Sequence, residues 1–337
     1  MSRKTTIYDI ARYLKVTPAT VSYALNNVSK VSEETRMKVL EAAKELGYSR
    51  DYNAVSLSTG KTHLMVLFLP LEDISKAFLE NQFYGEFIGS FEKQIQKHGY
   101  DLLIQPSIEE KELLPWLRGR GVDAIVCIGS FPKHYYKAFK TINKPVVLVD
   151  VFDEKCEEFN NVRIEDKDGT YFATEYLIKK GHRDIAFVSG DYHSSVVDQR
   201  RFEGYKEALS DYDIEFKDEY IFVSDVSVDA GAILAKEIMN SHVTAAMCAA
   251  DSLAIGLMNG YRNVGKDIPN DLSIIGFDDI QAANIVYPGL TTVKQNISEK
   301  GRLSAKLLLD DLKNKEISHK NLILNPELII RGTVKEK

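Results

Sequence analysis

Residues 16–26 read Val16-Thr-Pro-Ala-Thr-Val-Ser-Tyr-Ala-Leu-Asn26, and they indicate how the N-terminal region folds. Thr17 followed by Pro18 is typical of a helix start, because threonine caps free backbone N–H groups and proline fits the first helical turn. We predict a helix from Pro18 to about Leu25. A preceding stretch, Ile7 to Leu14, has apolar residues at helical spacing, and only three residues separate it from Pro18. Two short helices so closely joined predict a helix-turn-helix.

Capping patterns extend this prediction to residues 1–50. Thr6 and Asp9 fit a capping box at the start of the first helix. Ser32 begins a third helix, with two glutamates in its first turn, and Gly47 ends it. The sequence therefore predicts a three-helix headpiece.

The charge is distributed unevenly along the chain. The net charge is −6, yet residues 1–62 hold 10 basic and 6 acidic residues, which gives them +4 and leaves −10 for the remainder. A basic head on an acidic body is typical of a modular nucleic-acid-binding protein. An excess of this size also arises by chance, so charge alone does not decide the function.

From residue 64 onward, short apolar segments of strand length alternate with amphipathic helical stretches. This alternation predicts an α/β fold of parallel sheets with helices on both faces. About 275 residues follow this pattern, too many for one small sheet, and we expect two subdomains. The predicted strands are 64–69, 101–104, 124–128, 146–149, 185–188, 245–248 and 273–275.

Several function classes are not supported by the sequence. No apolar run approaches the roughly 20 residues of a membrane span, and no signal peptide is evident. Three scattered cysteines fit a reducing compartment, so we expect a cytoplasmic protein. The seven histidines lack metal-ligand spacing, and no catalytic motif occurs. We expect no membrane association, metal, cofactor or enzyme activity.

A series of ordered motifs connects these features. The headpiece contains Thr6-Ile-Tyr-Asp-Ile-Ala-Arg12, residues 16–26, Val31-Ser-Glu-Glu-Thr-Arg36 and Glu45-Leu-Gly-Tyr48. The remainder contains Gly169, Gly181-His-Arg183, Arg201-Phe-Glu-Gly-Tyr205, Gly276-Phe-Asp-Asp279 and Pro288-Gly-Leu-Thr-Thr-Val293. Together they resemble the lactose/galactose repressor (LacI/GalR) family of transcriptional regulators. The resemblance implies an all-α headpiece and a two-lobed core, similar to periplasmic binding proteins, built of doubly wound parallel sheets.

The resemblance implies a DNA-binding surface on the headpiece. Its second helix would enter the major groove, with base contacts from Pro18, Ala19 and Tyr23. Backbone phosphates would be contacted by Thr6, Tyr8, Ser22 and Asn26. Tyr23 replaces the arginine that is common in the family, so the base preference of the half-site is open. An ordinary, partly buried role for Tyr23 is the alternative.

The resemblance also implies a hinge helix at residues 51–61, in which Leu57 would insert into the minor groove. A plain linker is the alternative. The core would then comprise an N-subdomain of residues 62–162 and 294–322 and a C-subdomain of residues 163–293 and 323–337. Lys15 stands where the family usually has a turn glycine, which predicts a left-handed backbone there.

A small-molecule effector would bind between the two lobes. The resemblance nominates Arg201 and Asp278 first, then Asp150. Gln295 lies on a predicted crossing between the lobes, where it would contact either the ligand or only the hinge. Carboxylates and a guanidinium group bind vicinal hydroxyls through charge-assisted hydrogen bonds, which fits a sugar or sugar phosphate. A structural ion pair is the alternative for Arg201 and Asp278. Ala250 stands where the family often has asparagine, so one polar contact would be missing.

These expectations favour a ligand-responsive regulator, a repressor of carbohydrate use. It would bind a palindromic, double-stranded operator as a homodimer, and the effector would change the angle between the lobes. A cytosolic sugar-binding or sugar-modifying protein with a non-functional headpiece is one alternative. A nonspecific architectural DNA-binding protein is the other, although it would not need so large a core.

Overall fold

The computed structural model describes residues 5–25, 28–48, 61–70, 82–152 and 157–337. It divides the chain into one unit at residues 1–62 and another at residues 63–337. Two predicted DNA contacts, Asn26 and Leu57, lie outside the described residues, as does nearly all of the predicted hinge helix.

The N-terminal unit contains the three helices that the capping patterns predict. They are α1 (Ile7–Leu14), α2 (Pro18–Leu25) and α3 (Glu33–Glu45). Hydrogen bonds from the backbone of Thr20 to Thr17 Oγ1, at 3.1 Å, and of Thr35 to Ser32 Oγ, at 3.2 Å, cap α2 and α3. Apolar side chains from all three helices form one small core: Ile10, Ala11, Val21, Ala24, Val39, Ala42 and Ala43.

The turn between α1 and α2 has a left-handed residue, as predicted. Lys15 has φ 55° and ψ 41°, and its backbone N–H donates to the carbonyls that end α1. An L-amino acid pays a steric penalty in this conformation that glycine avoids. The left-handed backbone at Lys15 is therefore confirmed.

The second unit contains two six-stranded sheets. The strands of sheet 1 are β1 (Leu64–Phe68), β2 (Asp101–Gln105), β3 (Ala124–Ile128), β4 (Val146–Val149), β5 (Asn160–Ile164) and β11 (Asn321–Leu324). Every pairing in this sheet is parallel, in the order β11-β5-β4-β3-β1-β2. Its helices are α4 (Gln82–Gln96), α5 (Glu110–Arg120), α6 (Lys133–Ile142) and α12 (Ile297–Asn314).

The strands of sheet 2 are β6 (Ile185–Ser189), β7 (Ile221–Val223), β8 (Ala245–Cys248), β9 (Ser273–Asp278), β10 (Thr291–Lys294) and β12 (Glu327–Ile329). This sheet has the order β12-β10-β9-β8-β6-β7, and all strands in it are parallel except β12. Its helices are α7 (Asp166–Lys179), α8 (Val196–Asp211), α9 (Val228–Met239), α10 (Asp251–Asn263) and α11 (Gln281–Ile285), with a 3₁₀ turn at Asp218–Tyr220. This is the predicted α/β class.

The chain crosses between the sheets three times: from β5 to α7, from β10 to α12, and from β11 to β12. Such crossings place the carboxyl ends of parallel strands from both sheets around a shared cleft. The residue limits proposed for the two subdomains remain a prediction.

Close packing of α7 and α8 fixes one side of this cleft. A Cβ added to Gly204 of α8 would lie 2.1 Å from the carbonyl oxygen of Lys167 in α7, so only glycine fits there. Arg201 precedes Gly204 by three residues, which places both on the same side of α8. The close contact therefore brings the Arg201 side chain to the beginning of α7.

Candidate functional site

The predicted base-reading helix has one buried and one open face. Val21 and Ala24 of α2 are buried in the headpiece core, whereas Ala19 is exposed and Tyr23 is half-buried. Pro18 and Ser22 are also half-buried. α2 therefore keeps the open face that major-groove binding requires.

The predicted phosphate contacts at the start of α1 differ in how they are held. Tyr8 is 62% exposed. Thr6 donates its backbone N–H and its hydroxyl to one carboxylate oxygen of Asp9, at 2.9 and 2.7 Å. Thr6 is thus fixed as a helix cap, and a phosphate contact from its hydroxyl would compete with Asp9.

Tyr23 has a basic neighbour that the sequence motifs did not identify. The Nζ of Lys30 lies 5.2 Å from the centre of the Tyr23 ring, within the range of a cation–π contact. A lysine in the short segment after α2 was the available signal. The pair presents an aromatic ring and a positive charge together.

All four predicted effector residues line one cavity in the second unit, which we call the effector cavity. It measures about 600 Å³ and is bounded by the ends of strands and helices from both sheets. Asp150 follows β4 of sheet 1, Asp278 ends β9 of sheet 2, Arg201 lies on α8, and Gln295 lies on the crossing from β10 to α12. The structure therefore brings together residues that are up to 145 positions apart in the sequence.

Arg201 is held at the cavity wall by several partners. Its Nε donates to Asp166 Oδ1 at 2.8 Å, and its Nη1 donates to the carbonyl of Ala249 at 2.5 Å and lies 3.7 Å from Asp278 Oδ1. The guanidinium also stacks 3.7 Å above the centre of the Phe277 ring. Among the described residues Nη2 has no such bond, so part of the fork is open to a ligand. Arg201 is both ion-paired and cavity-lining.

A buried lysine completes the polar network. Lys300 of α12 donates from Nζ to both carboxylate oxygens of Asp150, each at 2.8 Å, and to Gln295 Oε1 at 2.5 Å. The side-chain amide of Gln295 donates to Asp278 Oδ1. Hydrogen bonds therefore run without interruption from Asp150 on sheet 1 to Asp278 on sheet 2.

Lys300 was missed in the sequence analysis, although a signal was present. It lies one turn before Ser304 and next to Gly301, among residues that form the buried stripe of α12. A lysine on the apolar face of a helix requires a buried partner.

Comparison with known proteins places this geometry in a family. Residues 6–51 match the model for bacterial regulatory proteins of the lacI family, and residues 174–334 match the periplasmic binding protein-like domain. The HTH-type transcriptional regulator RegA of Clostridium saccharobutylicum is 34% identical over 334 residues, covering 97% of this chain and 98% of RegA. The chain belongs to the lacI family.

Solved structures have a similar fold. A transcriptional regulator CelR–cellobiose complex is similar at 26% identity and a TM-score of 0.72, covering 98% of this chain and all of that one. The lac repressor dimer bound to operator and an anti-inducer has the same fold, with a TM-score of 0.82, 24% identity, and 99% of this chain and all of that chain covered.

Burial sets the acid–base character of the effector cavity. Loss of solvation raises the pKa of Asp278 to about 7, although Arg201 and the Gln295 hydrogen bond act in the opposite direction. Tyr84, which lines the same cavity, has its pKa raised to about 12 by burial and by nearby carboxylates. Asp278 therefore changes charge near neutral pH.

Asp251, a second residue absent from the predictions, supports Asp278. It begins α10, is fully buried, and accepts hydrogen bonds from the backbone of Ile280 at 2.9 Å and from Thr292 Oγ1 at 2.5 Å. Burial and the nearby Asp278 raise the pKa of Asp251 well above its usual value. The bond from Ile280 holds the loop that follows β9, and Asp278, the last residue of β9, has φ 118°.

The remainder of the cavity wall is mixed in polarity. Ala250 lies in the wall, where the sequence predicted one polar contact fewer than in relatives. Further residues that the sequence analysis did not name are Phe83, Tyr84, Ser194, Ser195, Asp198 and Asp225. Within the described parts of the chain, no group of side chains has the arrangement of a metal site, and no helix is long and apolar enough to cross a bilayer.

Proposed function

We propose that this lacI-family protein is a ligand-responsive transcriptional regulator, a repressor of carbohydrate use rather than an enzyme. It would bind a palindromic operator as a homodimer, with a sugar or sugar phosphate in the cavity between its two sheets. The observation that carries this proposal is that Asp150, Arg201, Asp278 and Gln295 all line that cavity.

The chemistry of the cavity supports a polyhydroxylated ligand. Carboxylates accept hydrogen bonds from vicinal hydroxyls, and a guanidinium fork donates to ring and hydroxyl oxygens. Asp278 and Arg201 supply these groups at one wall, and Phe83 and Tyr84 add aromatic surface. The volume of about 600 Å³ lies within the usual range for small-molecule sites.

The hydrogen-bonded network supports an allosteric role. Asp150 and Lys300 belong to the sheet 1 side, Asp278 and Arg201 belong to the sheet 2 side, and Gln295 joins them on a crossing segment. A ligand that replaces part of these bonds changes the relative stability of lobe arrangements. We propose that this change alters the spacing of two headpieces on DNA.

DNA binding is assigned to the headpiece. Residues 1–62 hold 10 basic and 6 acidic residues, and the open face of α2 carries Ala19 and Tyr23. Phosphate neutralisation dominates protein–DNA affinity, and the acidic remainder cannot supply it. The proposal has three further parts. Leu57 would insert into the minor groove, and the protein would be cytoplasmic. The subdomains would meet at 162/163, 293/294 and 322/323.

A gel shift tests the proposal. The full chain should retard DNA from upstream of its own coding region, and one member of a panel of sugars and sugar phosphates should change that retardation. A fragment starting at Thr62 should bind the same sugar and stay dimeric while losing DNA binding.

The outcomes separate the alternatives. Sugar binding without operator binding would support a sugar-binding protein with a non-functional headpiece. Equal retardation of unrelated DNA would support an architectural DNA-binding protein. Retardation of the operator by the fragment would contradict the assignment of DNA binding to the headpiece.

A further inference from the structure

The two cationic side chains at the effector cavity are already bound by groups of the protein. Lys300 uses its three N–H donors on the two carboxylate oxygens of Asp150 and on Gln295 Oε1. Arg201 donates to Asp166 at 2.8 Å and to a backbone carbonyl, which leaves Nη2 without a bond to the described residues. The cavity therefore offers a ligand hydrogen bonds but little uncompensated positive charge.

Two further carboxylates line the same cavity without a cationic partner. Asp198 lies in the first turn of α8, and Asp225 is an exposed residue after β7. No ion pair among the described residues includes either of them. With Asp150 and Asp278 they give the wall four carboxylates, against one lining arginine and one buried lysine. When all four are ionised, negative charge is therefore left over.

The position of the Asp198 carboxylate is fixed by its surroundings. The backbone N–H of Asp198 donates to Ser195 Oγ at 3.2 Å, which caps α8. A Cβ added to Gly190, the residue after β6, would lie 3.0 Å from Asp198 Oδ2, so the carboxylate lies at the carboxyl end of β6. Burial first, and then nearby carboxylates that include Asp198, raise the pKa of Tyr84 in the same wall to about 12. The charge of Asp198 thus acts inside the cavity.

The beginning of α8 would attract an anion if Asp198 were absent. Its first turn, Val196, Val197 and Asp198, lines the cavity, and phosphate groups favour the free N–H groups and the dipole at a helix N-terminus. The carboxylate in this turn compensates that partial positive charge. α10 begins beside the wall after Ala250 and likewise has an aspartate, Asp251, in its first turn. A phosphate ester at α8 would meet a charge of its own sign.

Apolar residues form the largest group in the wall. A sugar ring can pack its C–H groups against them while its hydroxyls reach the polar side chains. A phosphate dianion beside them would lose water without gaining donors, which costs free energy. The apolar lining residues are Pro70, Phe83, Ile128, Val196, Val197, Val226, Ala249 and Ala250.

We propose that the effector cavity selects against anions, so that its ligand is an uncharged sugar rather than a sugar phosphate, and that Asp198 excludes the phosphate. Ionised carboxylates only accept hydrogen bonds, and so does a phosphate dianion, whereas a sugar hydroxyl can donate to them. That the ligand is a sugar rests on the proposed function. Selection against anions does not.

Charge selection can be measured without knowledge of the ligand. Ser194→Cys places a thiol at the exposed edge of the cavity. At pH 8 the full-length variant is treated with 2-sulfonatoethyl or 2-hydroxyethyl methanethiosulfonate, which transfer groups of similar size with and without a negative charge. The ratio of the anionic rate to the neutral rate should be about fivefold or more below that of free 2-mercaptoethanol. A ratio equal to that of the free thiol would overturn the proposal.

A matched pair of variants assigns the effect to Asp198. In the Ser194→Cys background, Asp198→Asn should raise the rate ratio about twofold or more. Asp229→Asn, in the first turn of α9 and outside the lining, removes the same charge from the chain and should leave the ratio unchanged. The parent chain measures the background reaction of its own cysteines. Equal ratios with and without Asp198→Asn would overturn the assignment to Asp198.

Calorimetry with matched sugars tests the ligand class. The full chain is titrated at pH 8 with D-glucose, D-fructose and their 6-phosphates, and with D-ribose and its 5-phosphate. In any pair that binds, the free sugar should bind about tenfold or more tightly, and Asp198→Asn should narrow the difference about threefold or more. An ester that binds as tightly as its parent sugar would overturn the proposal. Absence of binding by every compound would contradict the sugar-responsive function, while the rate ratio still decides the selection against anions.

Discussion

Lys300 and Asp150 form a buried pair in which one ammonium nitrogen lies 2.8 Å from both carboxylate oxygens. The Lys300 side chain has no solvent exposure and that of Asp150 has 10%. The backbone of Asp150 is left-handed, with φ 55°. The pair holds the loop after β4 against α12 beside the effector cavity, and Lys300 is thereby a structural support for a predicted ligand-binding carboxylate.

Replacement of Lys300 by methionine should leave the Asp150 charge buried without a partner. Breaking a buried pair in this way typically costs about 3–5 kcal/mol, so the free energy of unfolding should fall by a comparable amount. The double variant Lys300→Met/Asp150→Asn should recover part of that loss. Urea unfolding of the parent protein, the single variants Lys300→Met and Asp150→Asn, and the double variant measures the coupling energy of the pair. Lys306→Met, exposed on the same helix, is the control, and additive effects at Lys300 and Asp150 would contradict the pair.

Lys15 offers a stabilising change in the headpiece. Its left-handed backbone costs an L-amino acid about 1–2 kcal/mol, and the greater freedom of glycine in the unfolded chain offsets about 0.4–1 kcal/mol of that. Lys15→Gly should therefore stabilise the helix-turn-helix by about 0.5–1 kcal/mol. Hydrogen exchange of backbone amides in α1 and α2 measures the gain. Lys44→Gly, in the last turn of α3, should instead destabilise the headpiece, and the same sign for both variants would refute the explanation.

Local sequence signals were sufficient for the headpiece and for most of the strands. Thr17 and Ser32 each cap a helix by accepting a hydrogen bond from the backbone N–H three residues later. Apolar strands such as β3 are evident without knowledge of their neighbours. By contrast, β5 begins Asn160-Asn161 and was not predicted. Asn160 is fully buried, which is tolerated because its side-chain amide donates a hydrogen bond to Asp311 at 2.8 Å. Asp311 lies 151 residues away in the sequence.

The effector site shows the same division. The resemblance nominated Asp150 and Asp278, but Lys300, Asp166 and Asp251 were missed because each is a buried ionisable side chain whose partners are distant in the sequence. Lys300 lies 150 residues from Asp150, and Asp166 lies 35 residues from Arg201. Long-range pairing of this kind leaves only a weak local signal, a charged residue at an apolar position.

Tyr23 should determine base preference at one position of each half-site. A phenol can donate one hydrogen bond, and its ring can contact a thymine methyl, whereas alanine can do neither. Binding-site selection with Tyr23→Ala should return an altered consensus at that position, and Tyr23→Phe should separate the hydroxyl from the ring. Tyr13→Phe, whose hydroxyl donates to Glu45 at 2.9 Å, is the control. An unchanged consensus with Tyr23→Ala would exclude Tyr23 as a base-reading residue.

Arg201 and Asp278 should be required for the response to effector but not for operator binding. Arg201→Ala and Asp278→Ala each remove a charged hydrogen-bonding group worth about 1.5–3 kcal/mol, so affinity for the sugar found in the panel should fall about tenfold or more. Operator affinity without sugar should change little. Arg302→Ala, an exposed arginine paired with Glu299, is the control. Calorimetry with unchanged sugar affinity in both variants would leave Arg201 and Asp278 a structural ion pair.

Effector binding should depend on pH through Asp278, because burial raises its pKa to about 7 from a usual value of 3.8. A sugar hydroxyl donates to the ionised carboxylate, so the ligand favours the charged form. Apparent affinity should therefore rise between pH 6 and pH 8, and binding below pH 7 should release protons.

Folding has the opposite dependence on the same group. A carboxyl whose pKa is raised in the folded protein contributes stability that is fully present below pH 3.8 and is lost as the pH rises through about 7.

Calorimetry of sugar binding, in buffers of different ionisation enthalpy, counts the protons that are released when the sugar binds. Asp278→Asn is the matched variant because it keeps the shape of the side chain and removes its titration. If proton release persists in Asp278→Asn, another group carries the pH dependence; if it is absent from the parent protein, the sugar does not donate to Asp278.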